Sequence, residues 1–183
     1  GLVEDSVTED VVHFIDANYM TIIQPEARSI IGFSDGGDGA MVTGLRHPEV
    51  YRSIAAHSGF YNWDLIRGDF RTWVLAENQG PPYTYVPNPG TATYDLYRLA
   101  GAYSPNMNNP PYYVDLPFDA DGNVVEQVLN RGKAYNADVL VSVFTPENVP
   151  DIYFTCGTDD FVNYPGNLYL KNSLDDDGSS ISP

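Results

Sequence analysis

A serine framed by glycines at residues 32–37 constrains this chain more than any other feature. The hexapeptide reads Gly-Phe-Ser-Asp-Gly-Gly, with Ser34 as its third residue. The apolar residues 28–33 predict a strand, and the small and apolar residues 40–45 predict a helix. A G-x-S-x-G motif between a strand and a helix is typical of a sharp turn that exposes a serine hydroxyl above a parallel sheet. The sequence therefore predicts an α/β fold with Ser34 as the candidate nucleophile, and a purely structural turn is the alternative.

The neighbours of Ser34 fit the same interpretation. We expect glycine on both sides of the serine because a Cβ at these positions would collide with the adjoining strand and helix. The backbone amide of Asp35 is expected at the positive end of the following helix, where it donates to a developing oxyanion.

Other parts of the chain are assigned from their apolar spacing. Ser6 and Glu9 have the pattern of a capping box at the start of the first helix. Residues 64–118 are rich in Pro, Tyr, Asn and Gly and are expected to hold few regular elements. Strands are predicted at residues 51–56 and 151–156, and helices at residues 7–19, 123–135 and 166–174.

Two carboxylates follow the last predicted strand. Asp159 and Asp160 are therefore expected at the carboxyl end of the sheet, where open α/β sheets place their chemistry. In enzymes whose nucleophilic serine lies in such a G-x-S-x-G turn, the orienting acid follows the serine in the chain. Both Asp159 and Asp160 meet this order. Position alone leaves the choice between them open, and two solvated loop acids are the alternative.

Four short segments together resemble the Putative esterase family, which includes esterase D, siderophore esterases, feruloyl and acetyl xylan esterases and mycolyltransferases. The segments are residues 32–37, His47-Pro48-Glu49, Ala56-His57-Ser58-Gly59 and Cys156-Gly157-Thr158-Asp159-Asp160. The resemblance covers residues 8–63 and 150–174. It implies an α/β-hydrolase fold, with three layers and a mostly parallel sheet, and a Ser-Asp-His esterase without a cofactor. The last Asp of the family's G-x-x-D pattern corresponds to Asp160, with Asp159 as the alternative acid.

The chain departs from the family at the histidine. The family's histidine follows its acid, whereas His13, His47 and His57 all precede Asp160. The family's first strands and the loop with its second oxyanion amide also have no counterpart here. We therefore expect the C-terminal half of a longer domain, without its final strand and helix, and with the triad histidine outside these 183 residues. His57 is the alternative base, and His47 is expected to lie far from Ser34.

The charge of the chain bears on its partners. The formal net charge is -16, from 25 acidic and 9 basic residues. Such a surface repels phosphate backbones and anionic lipid, which argues against nucleic-acid and membrane partners. It fits neutral substrates and an extracellular setting, with solubility as the alternative explanation. Cys156 is the only cysteine, so no intrachain disulfide is expected, and we interpret it as an inert core thiol.

The middle of the chain bears on the substrate. We predict one partial domain over residues 1–183, with residues 64–150 as a cover inserted within it. Trp63 and His57 are expected in the substrate pocket, and aromatic packing is the alternative role of the many tyrosines. The predicted substrate is a carbohydrate-linked acetyl or feruloyl ester. No metal is expected, because a simple turn explains the acidic residues 119–123.

Two other functions remain open from the sequence. An acyltransferase on the same scaffold would pass the acyl group to a sugar hydroxyl, and a non-catalytic binding module would keep the scaffold without a complete triad. The partial domain would leave strand edges and one sheet face uncovered, which predicts a homo-oligomer or a complementary segment beside it.

Overall fold

The computed structural model describes residues 2–86, 90–145 and 147–176, within which the chain divides into two compact units. One unit is formed by Gly1–Asn62 and Asn136–Pro183, and the other by Trp63–Tyr135. No helix in the described ranges has both the length and the apolar character of a membrane span. The insertion predicted at residues 64–150 overlaps the second unit, and its role as a cover stays a prediction.

The described residues form three strands and eight α-helices, with short 3-10 and π segments between some of them. In chain order they are α1 (Leu2–Asp5), a π segment (Ser6–Asp10), α2 (Val11–Asn18), a 3-10 turn (Pro25–Ala27), β1 (Ser29–Phe33), α3 (Asp35–Arg46), β2 (Ser53–His57), a 3-10 turn (Trp63–Arg67), α4 (Asp69–Glu77), α5 (Thr91–Tyr103), α6 (Glu126–Lys133), α7 (Ala137–Val141), β3 (Asp151–Thr155) and α8 (Tyr164–Asp176).

A parallel sheet organises the first unit. Its strand order is β1-β2-β3, so the three strands predicted from the sequence are confirmed. Phe33 pairs with His57, and His57 pairs with Thr155, so all three strands end at the same level. Residues that follow these strands are therefore gathered at the carboxyl edge of the sheet.

One face of the sheet holds the core of the first unit. Alternate strand residues such as Ile54 and Ala56, 1% and 0% exposed, point to this face because side chains alternate along a strand. Helix α3 packs on β1 and β2, and α7 packs on α3 and α8. The helices contribute Met41, Leu45, Ala137, Leu170 and Leu174 to the buried cluster.

The opposite face of the sheet is open in the described part of the chain. Ile31, Phe33 and Tyr153 lie on it and are 72%, 72% and 59% exposed. The expected uncovered sheet face is thus confirmed.

The N-terminal helix differs in detail from its prediction. Helical structure already begins at Leu2, ahead of residues 7–19. The predicted capping box is wrong, because the Ser6 hydroxyl contacts the Asp10 carboxylate at 3.3 Å instead of a backbone amide. A serine inside a helical segment faces amides that are already bonded to the preceding turn.

The second unit contains more helix than its composition predicted. The expectation of few regular elements at residues 64–118 is wrong, since α4 and α5 lie there. Ala92, Leu96 and Ala100 of α5 recur every four residues and are 8%, 0% and 2% exposed. Apolar residues at this spacing form a buried helical stripe that the surrounding tyrosines obscure in the sequence.

A carboxylate of α4 holds the start of α5. Glu77 accepts hydrogen bonds from the Ala92 amide at 3.0 Å and from the Thr93 amide at 2.7 Å. Burial raises the pKa of Glu77, but these hydrogen bonds outweigh it and leave the pKa below its ordinary value. The ionised side chain therefore satisfies two amides that have no acceptor within their own helix.

Two glycines of α3 offer a matched test of how closely this helix approaches β2. A Cβ at Gly37 would lie 2.5 Å from the backbone oxygen of His57, whereas a Cβ at Gly39 meets nothing within 4 Å. We expect Gly37→Ala to lower the free energy of unfolding by about 1–3 kcal/mol. Gly39→Ala is expected to raise it by up to ~1 kcal/mol through helix propensity. Urea unfolding of the full natural polypeptide measures both, and a Gly37→Ala variant as stable as its parent would contradict the packing.

Candidate active site

Ser34 occupies a strained position between strand and helix. It has φ 56° and ψ -119°, in a region that side chains with a Cβ rarely adopt. It is exposed, and although it stands at the N-cap of α3, its hydroxyl makes no capping hydrogen bond. A serine at an N-cap normally satisfies a helix amide, so the hydroxyl of Ser34 is left available for other chemistry.

Backbone contacts fix this turn from both sides. The amide of Ser34 donates to the His57 carbonyl at 2.8 Å, which ties the serine to the end of β2. The Ser34 carbonyl accepts from the Asp38 amide at 3.0 Å, which starts α3. The strand and the helix therefore both determine where the hydroxyl lies.

The glycines around Ser34 have different roles. A Cβ at Gly32 would lie 1.8 Å from the Gly36 carbonyl oxygen, and a Cβ at Gly37 would contact the backbone of His57. Close backbone approach thus explains Gly32 and Gly37. The same explanation is wrong for Gly36, where a Cβ meets nothing within 4 Å.

Asp35 is the first residue of α3. Its backbone amide belongs to the first turn, where helix amides have no acceptor within the helix and the macrodipole is positive. This arrangement can stabilise an oxyanion next to Ser34, and the oxyanion role of Asp35 stays a prediction.

The two candidate acids lie in different surroundings. Asp159 is exposed, whereas Asp160 is half-buried. The Asp160 carboxylate accepts from the Asn163 amide at 3.0 Å and from the Asn163 side chain at 3.2 Å. The thiol of Cys156 donates to it at 3.6 Å, and Ser58 is a further hydrogen-bond partner.

These contacts set the ionisation of Asp160. Burial raises its pKa, but the hydrogen bonds from Asn163, Cys156 and Ser58 lower it by more, so the pKa lies below its ordinary value. Asp160 is therefore an anion at neutral pH, as the orienting acid of a triad must be. Ser34 and Asp160 follow β1 and β3, which lie about two strand spacings, or roughly 10 Å, apart.

Sequence reasoning missed Ser58 and Asn163 as partners of the acid. The available signal for Ser58 was its place directly after β2, at the same sheet edge as Ser34. Asn163 had no signal, because a contact three residues beyond Asp160 depends on the turn that follows β3. Cys156 is half-buried, and burial raises the pKa of its thiol, which keeps it protonated at neutral pH.

His57 lies at the end of β2. Its Nδ1 is 2.8 Å from the Thr155 hydroxyl, and its ring stands edge-on to that of Tyr153. The strand alternation places this ring on the open face of the sheet. The predicted pocket role of His57 and its alternative role as the base both stay predictions.

His47 lies at the other end of α3 from Ser34. This 12-residue helix separates the two by roughly 18 Å. The His47 ring contacts Glu4 at 2.9 Å and Glu49 at 3.1 Å. The expectation that His47 is remote from the serine is confirmed.

Trp63 belongs to the second unit and is 5% exposed. Its ring packs edge-on against Tyr103 with 4.8 Å between ring centroids, and it also lies against Gly132, where a Cβ would come within 2.3 Å of it. Packing within this unit accounts for the aromatic side chain, and its role as a pocket wall stays a prediction.

Comparison with known proteins supplies the deciding observation. The sequence model of the family described as Putative esterase matches residues 2–160. The chain belongs to this family. The resemblance drawn from the four sequence segments is therefore confirmed, and the parallel sheet agrees with the α/β-hydrolase fold of this esterase family.

Two curated relatives share the same printed name. S-formylglutathione hydrolase of Mus musculus is 39% identical over 147 residues, which are 80% of this chain and 46% of the relative. S-formylglutathione hydrolase of Rattus norvegicus is 39% identical over 56 residues, which are 31% of this chain and 19% of the relative. The chain thus matches less than half the length of each relative.

The lowered pKa of Asp160 predicts that the stability of the fold depends on pH. Its folded-state pKa lies below the unfolded value of about 3.9, so its ionised form stabilises the fold above about pH 4. This contribution disappears as the pH falls through the folded-state pKa. We expect Asp160→Asn to lower the urea midpoint of the full natural polypeptide at pH 7 and much less at pH 3. Asp159→Asn is the exposed control, and an equal loss for Asp160→Asn at both pH values would contradict the assignment.

Proposed function

We propose that the protein is a serine hydrolase that cleaves acyl esters through an acyl-serine intermediate, with Ser34 as the nucleophile. The observation that carries the proposal is the strained, exposed serine whose hydroxyl does not cap its helix. Membership of the esterase family supports it independently. An ionised carboxylate, Asp160, at the same sheet edge supplies the second member of a triad.

In the proposed mechanism, the Ser34 oxygen attacks the acyl carbon while a histidine takes its proton. The negative charge that develops on the acyl oxygen is stabilised by the Asp35 amide at the positive end of α3. The histidine then protonates the leaving group, and the bond between the acyl carbon and that group breaks. Water, deprotonated by the same histidine, releases the acid and restores the Ser34 hydroxyl.

We propose that the base is a histidine outside these 183 residues. Within the chain, His47 is held by two carboxylates far from Ser34, and the Nδ1 of His57 is engaged by Thr155. In this proposal one imidazole nitrogen faces Ser34 and the other faces Asp160, which follow strands about two strand spacings, or roughly 10 Å, apart. In this proposal Asp160, with Asp159 as the alternative, fixes the tautomer of that ring.

Two substrate classes have support from different observations. The name of the two relatives supports a glutathione thioester such as S-formylglutathione. Tyr94, Tyr112 and Tyr113 of the second unit are 61%, 47% and 46% exposed, and such aromatic faces suit sugar rings and aryl groups. They support the carbohydrate-linked acetyl or feruloyl ester. Ser34 attacks an acyl carbon in both classes, so an activated acetate ester tests the chemistry without favouring either.

Replacement of the nucleophile tests this proposal. We expect Ser34→Ala to lower kcat for p-nitrophenyl acetate hydrolysis by at least ~10³-fold in the full natural polypeptide, because no acyl-enzyme forms. Ser142→Ala is the matched control, since Ser142 is an exposed serine of the first unit that donates to the Val139 carbonyl at 2.7 Å. It should keep the parental rate. Hydrolysis by Ser34→Ala at the parental rate would end the proposal.

A further inference from the structure

A second serine at the carboxyl edge of the sheet also has a left-handed backbone. Ser58 directly follows β2 and has φ 49°. Its amide donates to the Thr155 carbonyl at 2.7 Å, just as the Ser34 amide donates to the His57 carbonyl one strand away. Because Phe33 pairs with His57, Ser34 and Ser58 leave neighbouring strands at the same level. Glycine or asparagine would adopt such a φ with less strain, so the serine side chain itself requires an explanation.

The Ser58 hydroxyl supplies that explanation. It is hydrogen-bonded to the carboxylate of Asp160 and lies beside the sulfur of Cys156. A carboxylate only accepts hydrogen bonds, so the Ser58 hydroxyl is the donor toward Asp160. The contact links the end of β2 to the turn after β3, which are separate segments of the chain.

Helix capping alone does not account for the surroundings of Asp160. Its carboxylate accepts from the Asn163 amide three residues on, and its carbonyl accepts from the Tyr164 amide at 2.8 Å, as expected for a residue that starts a helical turn. Ser58 and Cys156 lie outside that turn, yet both contact the same carboxylate. A cap needs neither of them, and both add donors that restrict the orientation of the carboxylate further.

We propose that Ser58 is a positioning residue, whose hydroxyl orients the Asp160 carboxylate toward the base. The inference rests on the proposed function, in which Asp160 is the triad acid. Ser58 contacts neither substrate nor the reacting atoms and acts only through Asp160. Its strained backbone places the hydroxyl beside the turn after β3. Loss of the hydroxyl removes one donor that keeps Asp160 ionised and leaves its carboxylate held only by Asn163 and Cys156.

Two substitutions of Ser58 separate the effect of losing its hydroxyl from the effect of relieving its backbone strain. Ser58→Ala keeps the Cβ and its strain but lacks the hydroxyl, whereas Ser58→Gly lacks the hydroxyl and relieves the strain. We expect both to lower kcat for p-nitrophenyl acetate to a similar extent, roughly 10-fold to 100-fold, with little change in KM. The acid limb of the pH profile of kcat/KM should move to higher pH in both. Ser58→Gly should nevertheless unfold at a higher urea concentration than Ser58→Ala.

The opposite pattern would overturn the inference. If Ser58 only shapes the turn, activity follows stability, and Ser58→Gly keeps the parental kcat and pH profile. Ser34→Ala, measured beside them in the full natural polypeptide, keeps the two claims apart. An inactive Ser34→Ala with a fully active Ser58→Gly rejects the positioning role alone, whereas an active Ser34→Ala rejects the proposed function and the inference with it. Should Ser58→Ala fail to fold, the Ser58→Gly kinetics still decide.

Discussion

The left-handed backbone of Ser34 is the constraint on which the site of the first unit depends. A residue with a Cβ in such a conformation costs of order 1–3 kcal/mol and persists only where its surroundings fix it. Gly32 lets the strand backbone meet the helix backbone at residue 36, Gly37 lets α3 approach β2, and the His57 carbonyl holds the serine amide. These contacts use the backbone and leave the hydroxyl exposed. The fold thus holds one residue in a strained conformation, and this conformation exposes the Ser34 hydroxyl at the sheet edge.

The proposed site also requires a carboxyl group that stays ionised although it is partly buried. Asp160 meets it through donors from two different segments, namely Ser58 after β2 and Asn163 in the turn before α8. The net charge of -16 would by itself make a further carboxylate harder to ionise, so local hydrogen bonds matter more here than the overall field. Ser34 and Asp160, the proposed nucleophile and acid, are thus held by different contacts at the ends of outer strands, with β2 between them.

The sequence predicted the parts of the structure that depend on local pattern. The strands, α3 and α8 follow from apolar spacing, and the turn at Ser34 follows from its glycines. Helix α5 was missed because its alanine and leucine at four-residue spacing stand among tyrosines, and α4 was missed because Val74 is its one buried residue. The reason for Gly36 was wrong because a motif does not show which glycine meets a neighbouring backbone. Ser58 was missed because its contact with Asp160 exists only after β2 and β3 are paired, and Asn163 was missed because its contact depends on the turn that follows β3.

Covalent labelling of the folded protein tests the central claim most directly. A p-nitrophenyl phosphonate ester transfers its phosphonyl group to a nucleophilic serine oxygen and releases p-nitrophenol. Tryptic cleavage at Arg28 and Arg46 yields residues 29–46, which contain both Ser29 and Ser34, so fragment ions identify the labelled oxygen. The account predicts a single adduct on Ser34 in the full natural polypeptide and none after unfolding in urea. An unlabelled Ser34 in folded protein, or an adduct confined to another residue, would contradict it.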